Sequence, residues 1–143
     1  MTEPANTIRG ANSEDRDAVI ALWQSCGLTR PWNDPAADFQ LAMAGETSTI
    51  LILESEGRIV ATIMVGFDGH RGWVYYLAVD PEHRRAGYGR LMMEAAENWL
   101  QGCHAPKIQL MVREDNEQAI GFYKALGYET QPVVTIGRRL DTA

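Results

Sequence analysis

Three arginines and two glycines lie close together in the middle of the chain, between an apolar stretch and an amphipathic one. The run is Arg84-Arg85-Ala86-Gly87-Tyr88-Gly89-Arg90. The first turn of a helix has backbone N–H groups without intrahelical partners, and its dipole favours negative charge. Glycines there let a bulky anion approach the backbone without meeting a Cβ atom. The run therefore predicts a cradle for a phosphate or pyrophosphate group.

Other glycine signatures for phosphate do not fit this run. A Walker loop requires Gly-Lys-Ser/Thr four residues after a glycine, which the chain lacks. A dinucleotide fingerprint requires a third glycine where the chain has Met92. A glycine-rich turn with solvated arginines is the structural alternative. The agreement of the preceding strand, the arginines and the following helix favours ligand binding.

Length and composition indicate one globular domain over residues 1–143. The chain is 45 % apolar and 22 % charged, which is ordinary for such a domain. Its net charge of −6 argues against broad binding to nucleic acid. No stretch approaches the ~20 apolar residues of a membrane span, and the N-terminus lacks the basic start and apolar run of a secretory signal.

The two cysteines are typical of a protein of the cytoplasm. Cys26 and Cys103 are far apart in the sequence and form no metal-spaced pair, so we expect reduced thiols and no metal site. These observations together predict a cytoplasmic protein that does not bind a membrane.

The first half of the chain predicts strands mixed with helices. A short strand is expected around Ile8, followed by a helix that Asn12 or Ser13 caps and Gly27 ends. A second helix, capped by Asp34, runs to about Gly45. Three strands are then expected, at Thr49–Glu54, Arg58–Phe67 and Trp73–Val79.

The second half begins with the helix that follows the glycine run. A strand is expected at Lys107–Val112, a helix with Asn116 as its cap at Glu117–Leu126, and a last strand at Val133–Leu140. Hairpins in the first half and crossover helices in the second predict an α/β or α+β fold with a mixed sheet.

Two segments resemble the motifs of the GCN5-related N-acetyltransferase (GNAT) family. Leu77-Ala78-Val79-Asp80-Pro81 and the glycine run resemble its acetyl-CoA motif, Arg/Gln-x-x-Gly-x-Gly/Ala, with Arg84, Gly87 and Gly89 at the defining positions. Asn116 to Tyr128 resembles its second motif, Asn-x-x-Ala-x-x-x-Tyr-x-x-x-Gly-Phe/Tyr. Within the family, the segments 30–35 and 66–72 resemble the bacterial YpeA-type acetyltransferases.

The resemblance implies an N-acetyltransferase that uses acetyl-CoA and acts by direct transfer in a ternary complex. It implies a mixed, mostly antiparallel central sheet, flanked by about four helices and splayed between the fourth and fifth strands. The implied cofactor contacts are the backbone of Leu77, Ala78 and Val79 on the pantetheine arm, the side chain of Asn116 on the same arm, and, on the pyrophosphate, Arg84, Arg85, Ala86, Gly87, Tyr88, Gly89 and Arg90.

The resemblance also implies that Tyr123 lies near the sulfur atom and protonates the departing thiolate. A tyrosine with an ordinary pKa near ~10 is protonated at neutral pH, as this role requires. Its spacing from Ala119 and Leu126 also fits a residue of an aromatic core. The backbone N–H of Ala78 is a candidate to polarise the thioester carbonyl.

The general base is left open by the sequence. Many members of the family carry a glutamate at the position of Trp73 or of Met111, and neither residue is acidic here. The remaining candidates are a substrate amine that loses its proton to bulk solvent, or one of His70, Tyr75 acting through water, Asp34 and Asp68.

The acceptor is also open. Trp32 and Asn33 lie where the family builds its acceptor lid, and charges of both signs are available for a cationic amine or a carboxylate: Asp34, Asp38 and Asp68, and Arg30, Arg71 and Arg113. A small-molecule amine or amino acid and a peptide N-terminus or lysine are the expected acceptors, and a homodimer is one expected assembly. The alternatives are a non-catalytic acyl-CoA-binding regulatory module and a nucleotide-binding module.

Overall fold

The structure is a computed structural model that describes residues 6–141. Residues 1–5, on which the prediction of no secretory signal depends, lie outside the described residues. The chain divides into two units, Met1–Met111 and Val112–Ala143, and each unit is described by itself. None of the helices within residues 6–141 is both long enough and apolar enough to cross a membrane.

Five strands form one sheet in the first unit, in the spatial order in which they occur along the chain. The first four strands are paired antiparallel, and the fifth is parallel to the fourth. The strands are β1 Asn6–Gly10, β2 Ser48–Ser55, β3 Arg58–Phe67, β4 Gly72–Val79 and β5 Ile108–Gln109. The predicted mixed and mostly antiparallel sheet is therefore confirmed.

Four α-helices accompany the sheet within residues 6–141, as predicted. They are α1 Arg16–Ser25, α2 Pro35–Ala44, α3 Tyr88–Gly102 and, in the second unit, α4 Glu117–Ala125. The chain enters α2 through Asp34, whose side chain accepts hydrogen bonds from the backbone N–H groups of Ala36 and Ala37. The chain leaves α1 through Gly27, whose φ of +68° is the left-handed conformation expected of a C-terminal glycine.

Both faces of the sheet are covered by apolar side chains. Ile50 and Ile52 of β2 pack in a cluster with Trp23 of α1 and Phe39 of α2. The alternate residues of β2, including Leu53, point to the opposite face and are buried as well. Helix α3 packs on the sheet through its buried residues Met92, Met93, Ala96 and Leu100.

The sheet opens between β4 and β5. The register pairs Gly72 with Ile108 and Trp73 with Gln109, whereas β4 continues to Val79. No strand of the described residues lies along this remaining edge of β4. The predicted strand Lys107–Val112 is therefore too long, because the two strands diverge after Gln109 and the following residues lose their ladder partner.

The second unit begins with a capped helix and ends in an extended segment. Asn116 Oδ1 accepts a hydrogen bond of 3.1 Å from Ala119 N–H, and Gly127 has a φ of +96°, so the predicted cap and stop of α4 are confirmed. The predicted last strand Val133–Leu140 is wrong. Its apolar side chains are 74–92 % exposed, and the described residues after Gln109 contain no strand that it would pair with.

Candidate active site

The segment from Asp80 to Arg90 carries the chain from β4 into α3. Asp80 fixes its start, because Asp80 N–H donates to Val60 O over 2.8 Å and Asp80 Oδ1 accepts from Glu82 N–H over 2.9 Å. Arg85 and Gly87 then have φ angles of +71° and +80°, and Gly87 is the N-cap of α3. The left-handed conformation at Gly87 favours glycine, since a Cβ atom is strained there.

The N-terminus of α3 is left without a side-chain cap. Gly87 has no side chain to accept a hydrogen bond, and the first bond within the helix runs from Leu91 N–H to Gly87 O. The N–H groups of Tyr88, Gly89 and Arg90 therefore precede the helical ladder. A Cβ atom added at Gly87 would meet nothing within 4 Å, so the space in front of these donors is open.

Positive charge surrounds these donors. Arg84 and Arg85 are exposed, and no carboxylate within residues 6–141 forms an ion pair with them. Arg90 lies 3.5 Å from Glu94 across one turn of α3, measured between Nε and Oε1. The Tyr88 ring lies beside the His83 ring, with 6.2 Å between centroids. Uncapped N–H groups and unpaired guanidinium groups together suit a doubly charged anion such as a pyrophosphate.

A β-bulge interrupts β4 just before this segment. Thr62 pairs with Ala78 and Met64 with Tyr75, so Tyr76 and Leu77 together face the single residue between Thr62 and Met64. Tyr76 has a φ of +53°, which is uncommon for a residue with a side chain. The bulge changes the direction of the backbone where β4 has lost its partner β5.

The register decides which backbone groups of β4 face the open edge. Because Asp80 N–H bonds to Val60 O on β3, alternation along the strand directs the backbone of Ala78 toward β3 as well. The backbone groups of Leu77 and Val79 face the open edge instead. The N–H of Ala78, which was expected to polarise the thioester carbonyl, is on the side of β4 that faces Thr62 of β3.

A hydrogen-bonded network of side chains from α1, α2 and β3 holds the bulge, and the sequence did not predict it. Trp23 Nε1–H donates to Thr62 Oγ1 over 3.1 Å, and the Thr62 hydroxyl donates to Tyr76 O over 3.1 Å. The Tyr76 ring stacks on Trp23 at 3.9 Å, and its hydroxyl donates to Asp38 Oδ2 over 2.6 Å. Burial and the neighbouring Asp38 carboxylate raise the pKa of Tyr76 far above its ordinary value.

The turn before β4 contains the predicted site residues Asp68 and His70. Asp68 Oδ1 accepts from the backbone N–H groups of Arg71 and His70, and Asp68 Oδ2 accepts from Trp73 Nε1–H. The N–H groups of Arg71 and His70 lower the pKa of Asp68. Its carboxylate is thus occupied in holding the turn, while His70 is exposed.

Tyr75 follows this turn on β4 and is 44 % exposed. Burial, and secondly the negative charge of Asp68, raise the pKa of Tyr75. The phenol therefore stays protonated at neutral pH and is available as a hydrogen-bond donor to an acceptor molecule.

The loop between α1 and α2 presents Trp32 to solvent, with 57 % of its surface exposed. Asn33 N–H donates to Arg30 O over 3.0 Å, and the Arg30 guanidinium group donates to the carbonyls of Gly27 and Thr29. Asp34 is occupied as the cap of α2. The loop is therefore held by its own hydrogen bonds, with the Trp32 ring as its exposed feature.

The second unit holds Asn116 and Tyr123. The cap uses Asn116 Oδ1 and not the Nδ2 amide. The Tyr123 ring meets the Phe122 and Tyr128 rings edge-on, with centroid distances of 5.0 and 5.9 Å. Burial raises the pKa of Tyr123, so that its hydroxyl is protonated at neutral pH. Residues 6–141 contain no cluster of side chains suited to a metal ion.

Comparison with known proteins decides the family. The model of the acetyltransferase (GNAT) family matches residues 15–128, which is most of the chain. The chain belongs to the GNAT acetyltransferase family. It is an acyltransferase, and its cofactor is acetyl-CoA. The uncapped N-terminus of α3 and the unpaired arginines of this GNAT chain fit the pyrophosphate of that cofactor.

Solved structures share this fold. The ribosomal-protein-S18-alanine N-acetyltransferase from Escherichia coli is 27% identical, with a TM-score of 0.75, covering 86% of this chain and 77% of that one. A tetramutant of the BH1408 protein from Bacillus halodurans is 28% identical, with a TM-score of 0.72, covering 93% and 99%. AAC(6')-Iy bound to the bisubstrate analogue CoA-S-monomethyl-acetylneamine is 15% identical, with a TM-score of 0.82, covering 94% and 98%.

Proposed function

We propose that this GNAT protein transfers the acetyl group of acetyl-CoA to a primary amine by direct attack in a ternary complex. The observation that carries the proposal is the uncapped N-terminus of α3, with Arg84 and Arg85 beside it, directly after the open edge of β4. Both features offer hydrogen-bond donors that no part of the described chain uses. An extended, anionic acyl donor needs both.

Different residues are proposed to bind the pyrophosphate and the pantetheine arm of acetyl-CoA. The backbone N–H groups from Arg85 to Arg90 and the side chains of Arg84, Arg85 and Arg90 hold the pyrophosphate. The backbone of Leu77 and Val79 pairs with the pantetheine arm, and Asn116 Nδ2 donates to the same arm. When bound, acetyl-CoA supplies an activated acetyl thioester.

Tyr123 is proposed as the general acid that donates its proton to the leaving sulfur. Its raised pKa keeps the hydroxyl protonated until the thiolate forms. Replacing Tyr123→Phe should lower kcat about 100-fold and leave the Kd for acetyl-CoA within about twofold, as removal of one general acid does. Steady-state thiol release and calorimetry measure the two quantities.

Tyr128→Phe is the matched control, because it removes one phenol hydroxyl from a ring 5.9 Å from that of Tyr123. The control should retain wild-type kcat. Equal turnover of Tyr123→Phe and Tyr128→Phe would exclude the catalytic role of Tyr123.

We propose that the acceptor amine loses its proton to bulk solvent before it attacks. The support is that Asp34 caps α2, Asp68 holds its turn, and Tyr75 has a raised pKa, so none of these groups is a ready proton acceptor. The rise of kcat/KM with pH should then follow the pKa of each acceptor amine. A pH profile that is the same for all amines would instead indicate that a group of the protein is the base.

The acceptor class is proposed to be a primary amine of a small molecule, an amino acid or a peptide. Within the family, the chain is proposed to be closest to the YpeA-type acetyltransferases, which segments 30–35 and 66–72 resemble. The exposed Trp32, with Asn33, Asp68, His70 and Tyr75, is proposed to contact it. A thiol-release panel of amino acids, polyamines, aminoglycosides and peptides with N-terminal alanine tests this. Tight binding of acetyl-CoA without turnover on any amine would favour the regulatory module.

We further propose that both units belong to one cytoplasmic domain. The support is that the family match over residues 15–128 runs through both units. Limited proteolysis tests the single domain, since a separate second unit would be released by cleavage near Val112.

A further inference from the structure

The strained residue Tyr76 is held by three side chains from other elements. A residue with a side chain at positive φ costs free energy and persists only where the surrounding structure fixes it, and such residues concentrate at functional sites. The stacked Trp23 ring, the Asp38 carboxylate and the Thr62 hydroxyl each contact a different part of Tyr76: ring, hydroxyl and backbone carbonyl. We call Trp23, Thr62, Tyr76 and Asp38 the β4 latch.

A further contact fixes the other end of the same short segment. Cys26, at the end of α1, donates its Sγ–H to Val79 O over 3.2 Å. Helix α1 therefore holds β4 at Tyr76 through Trp23 and at Val79 through Cys26. Between these two points lies Leu77, whose backbone groups face the open edge, and Ala78, whose backbone faces β3.

We propose that Tyr76 is a positioning residue, which acts through the β4 latch to fix the open-edge N–H groups of Leu77 and Val79 for the pantetheine arm. This inference rests on the proposed function, because the ligand of that edge is the acyl donor. The latch also joins α2, which follows the Trp32 loop, to β4 through the bond between Asp38 and Tyr76.

The test removes the hydrogen bond between Tyr76 and Asp38 from each side in turn. Tyr76→Phe keeps the ring stacked on Trp23 and removes the bond to Asp38, and Asp38→Ala removes the same bond from the other side. Hydrogen exchange measured by mass spectrometry on the β4 peptide of the free protein should accelerate about tenfold in both, as the loss of one hydrogen bond does. The double variant should show no further acceleration, because the two residues share one interaction.

Calorimetry with CoA is the second measurement. The Kd for CoA should rise about fivefold in Tyr76→Phe and in Asp38→Ala. Asp38→Asn keeps an oxygen acceptor and should therefore retain most of the wild-type affinity. Ile52→Val, a truncation in the buried cluster, is the control for general loss of stability and should leave the Kd unchanged.

Unchanged exchange in Tyr76→Phe would overturn the latch, and faster exchange with an unchanged Kd would overturn its role toward the donor. A rise of the Kd in Ile52→Val equal to that in Tyr76→Phe would also overturn the role, since stability alone would then explain it. Wild-type protein that binds no CoA would instead refute the proposed function and with it the ligand of this edge. The wild-type titration thus separates the two failures.

Discussion

The two loops at the ends of β4 are built from similar residues and use them in opposite ways. The turn before β4 has Asp68, Gly69 at a φ of +91° and Arg71, and the segment after β4 has Asp80, Gly87 at a φ of +80° and three arginines. In the first loop, the Asp68 carboxylate accepts two hydrogen bonds from the loop and one from Trp73 at the start of β4. In the second, the N–H groups at the start of α3 have no side-chain cap.

The difference shows how a loop whose donors are satisfied internally differs from the loop that is proposed to bind the pyrophosphate. Residue types alone do not distinguish them, since each has a left-handed glycine and arginine side chains. The distinction is whether the donors are satisfied within the loop. The N–H groups that donate to Asp68 are satisfied within the loop and fix the start of β4. The N–H groups after Gly87 have no partner in their own loop, which suits them to an external anion.

The largest expected effect comes from adding a side-chain cap to the N-terminus of α3, in the loop after β4. Gly87→Asp places a carboxylate at the N-cap of α3, where it accepts the N–H groups of the first turn and repels phosphate. We expect the Kd for acetyl-CoA to rise at least about 100-fold by calorimetry, since both the donors and the charge are affected.

Gly57→Asp is the matched control for this substitution. Gly57 lies in the turn between β2 and β3, with a φ of +78° and nothing within 4 Å of an added Cβ, so the strain and the added charge are the same. The control should bind acetyl-CoA like the wild type. Equal weakening in both variants would mean that net charge, and not the cap, is responsible.

A smaller effect is expected from the arginines of the loop after β4. Arg84→Ala and Arg85→Ala should each raise the Kd for acetyl-CoA about tenfold, as loss of one charge-assisted hydrogen bond does. The effect should shrink as salt is added, because both side chains are exposed. Arg71→Ala, in the loop before β4, is the comparison, and a tenfold weakening there would show that the two loops do not differ as described.

The smallest effect is expected from removing the Asp68 carboxylate from the loop before β4. The N–H groups of Arg71 and His70 lower the pKa of Asp68, so its carboxylate stabilises the fold above the unfolded-state value near ~3.9. This stabilisation is lost as pH falls through the lower value in the folded protein. Asp68→Asn should lower the melting temperature slightly at neutral pH and leave acetyl-CoA binding unchanged.

Melting curves from about pH 2 to pH 6 check this pH dependence. The difference in melting temperature between wild type and Asp68→Asn should become smaller as the pH falls. A difference that grows on acidification would contradict the assigned role of Asp68.

Elements with local signals were predictable from the sequence. Asp34 before Pro35 and Gly27 after α1 each depend on neighbouring residues, and each lies where it was predicted. The cradle after β4 was predictable for the same reason, because its glycines and arginines are contiguous.

Features that depend on partners distant in sequence were not predictable. The strand at Val133–Leu140 has strand-like composition, yet a strand forms only where another strand offers its edge. The bulge at Tyr76 depends on Trp23, Asp38 and Thr62 together, and a run of aromatic and β-branched residues gives no sign of a positive φ. The only local sign was Thr62, a hydroxyl within an apolar run that must find partners when buried.

The bulge in β4 has a consequence for the behaviour of the protein at high concentration. An unpaired strand edge is a template on which a second molecule adds its own strand, and this is how many aggregates begin. The kink at Tyr76 breaks the regular spacing of N–H and C=O groups along the open edge, so that a straight strand from another copy finds no matching ladder. We therefore expect the irregularity at the edge proposed for the pantetheine arm to disfavour strand addition by a second copy of the protein.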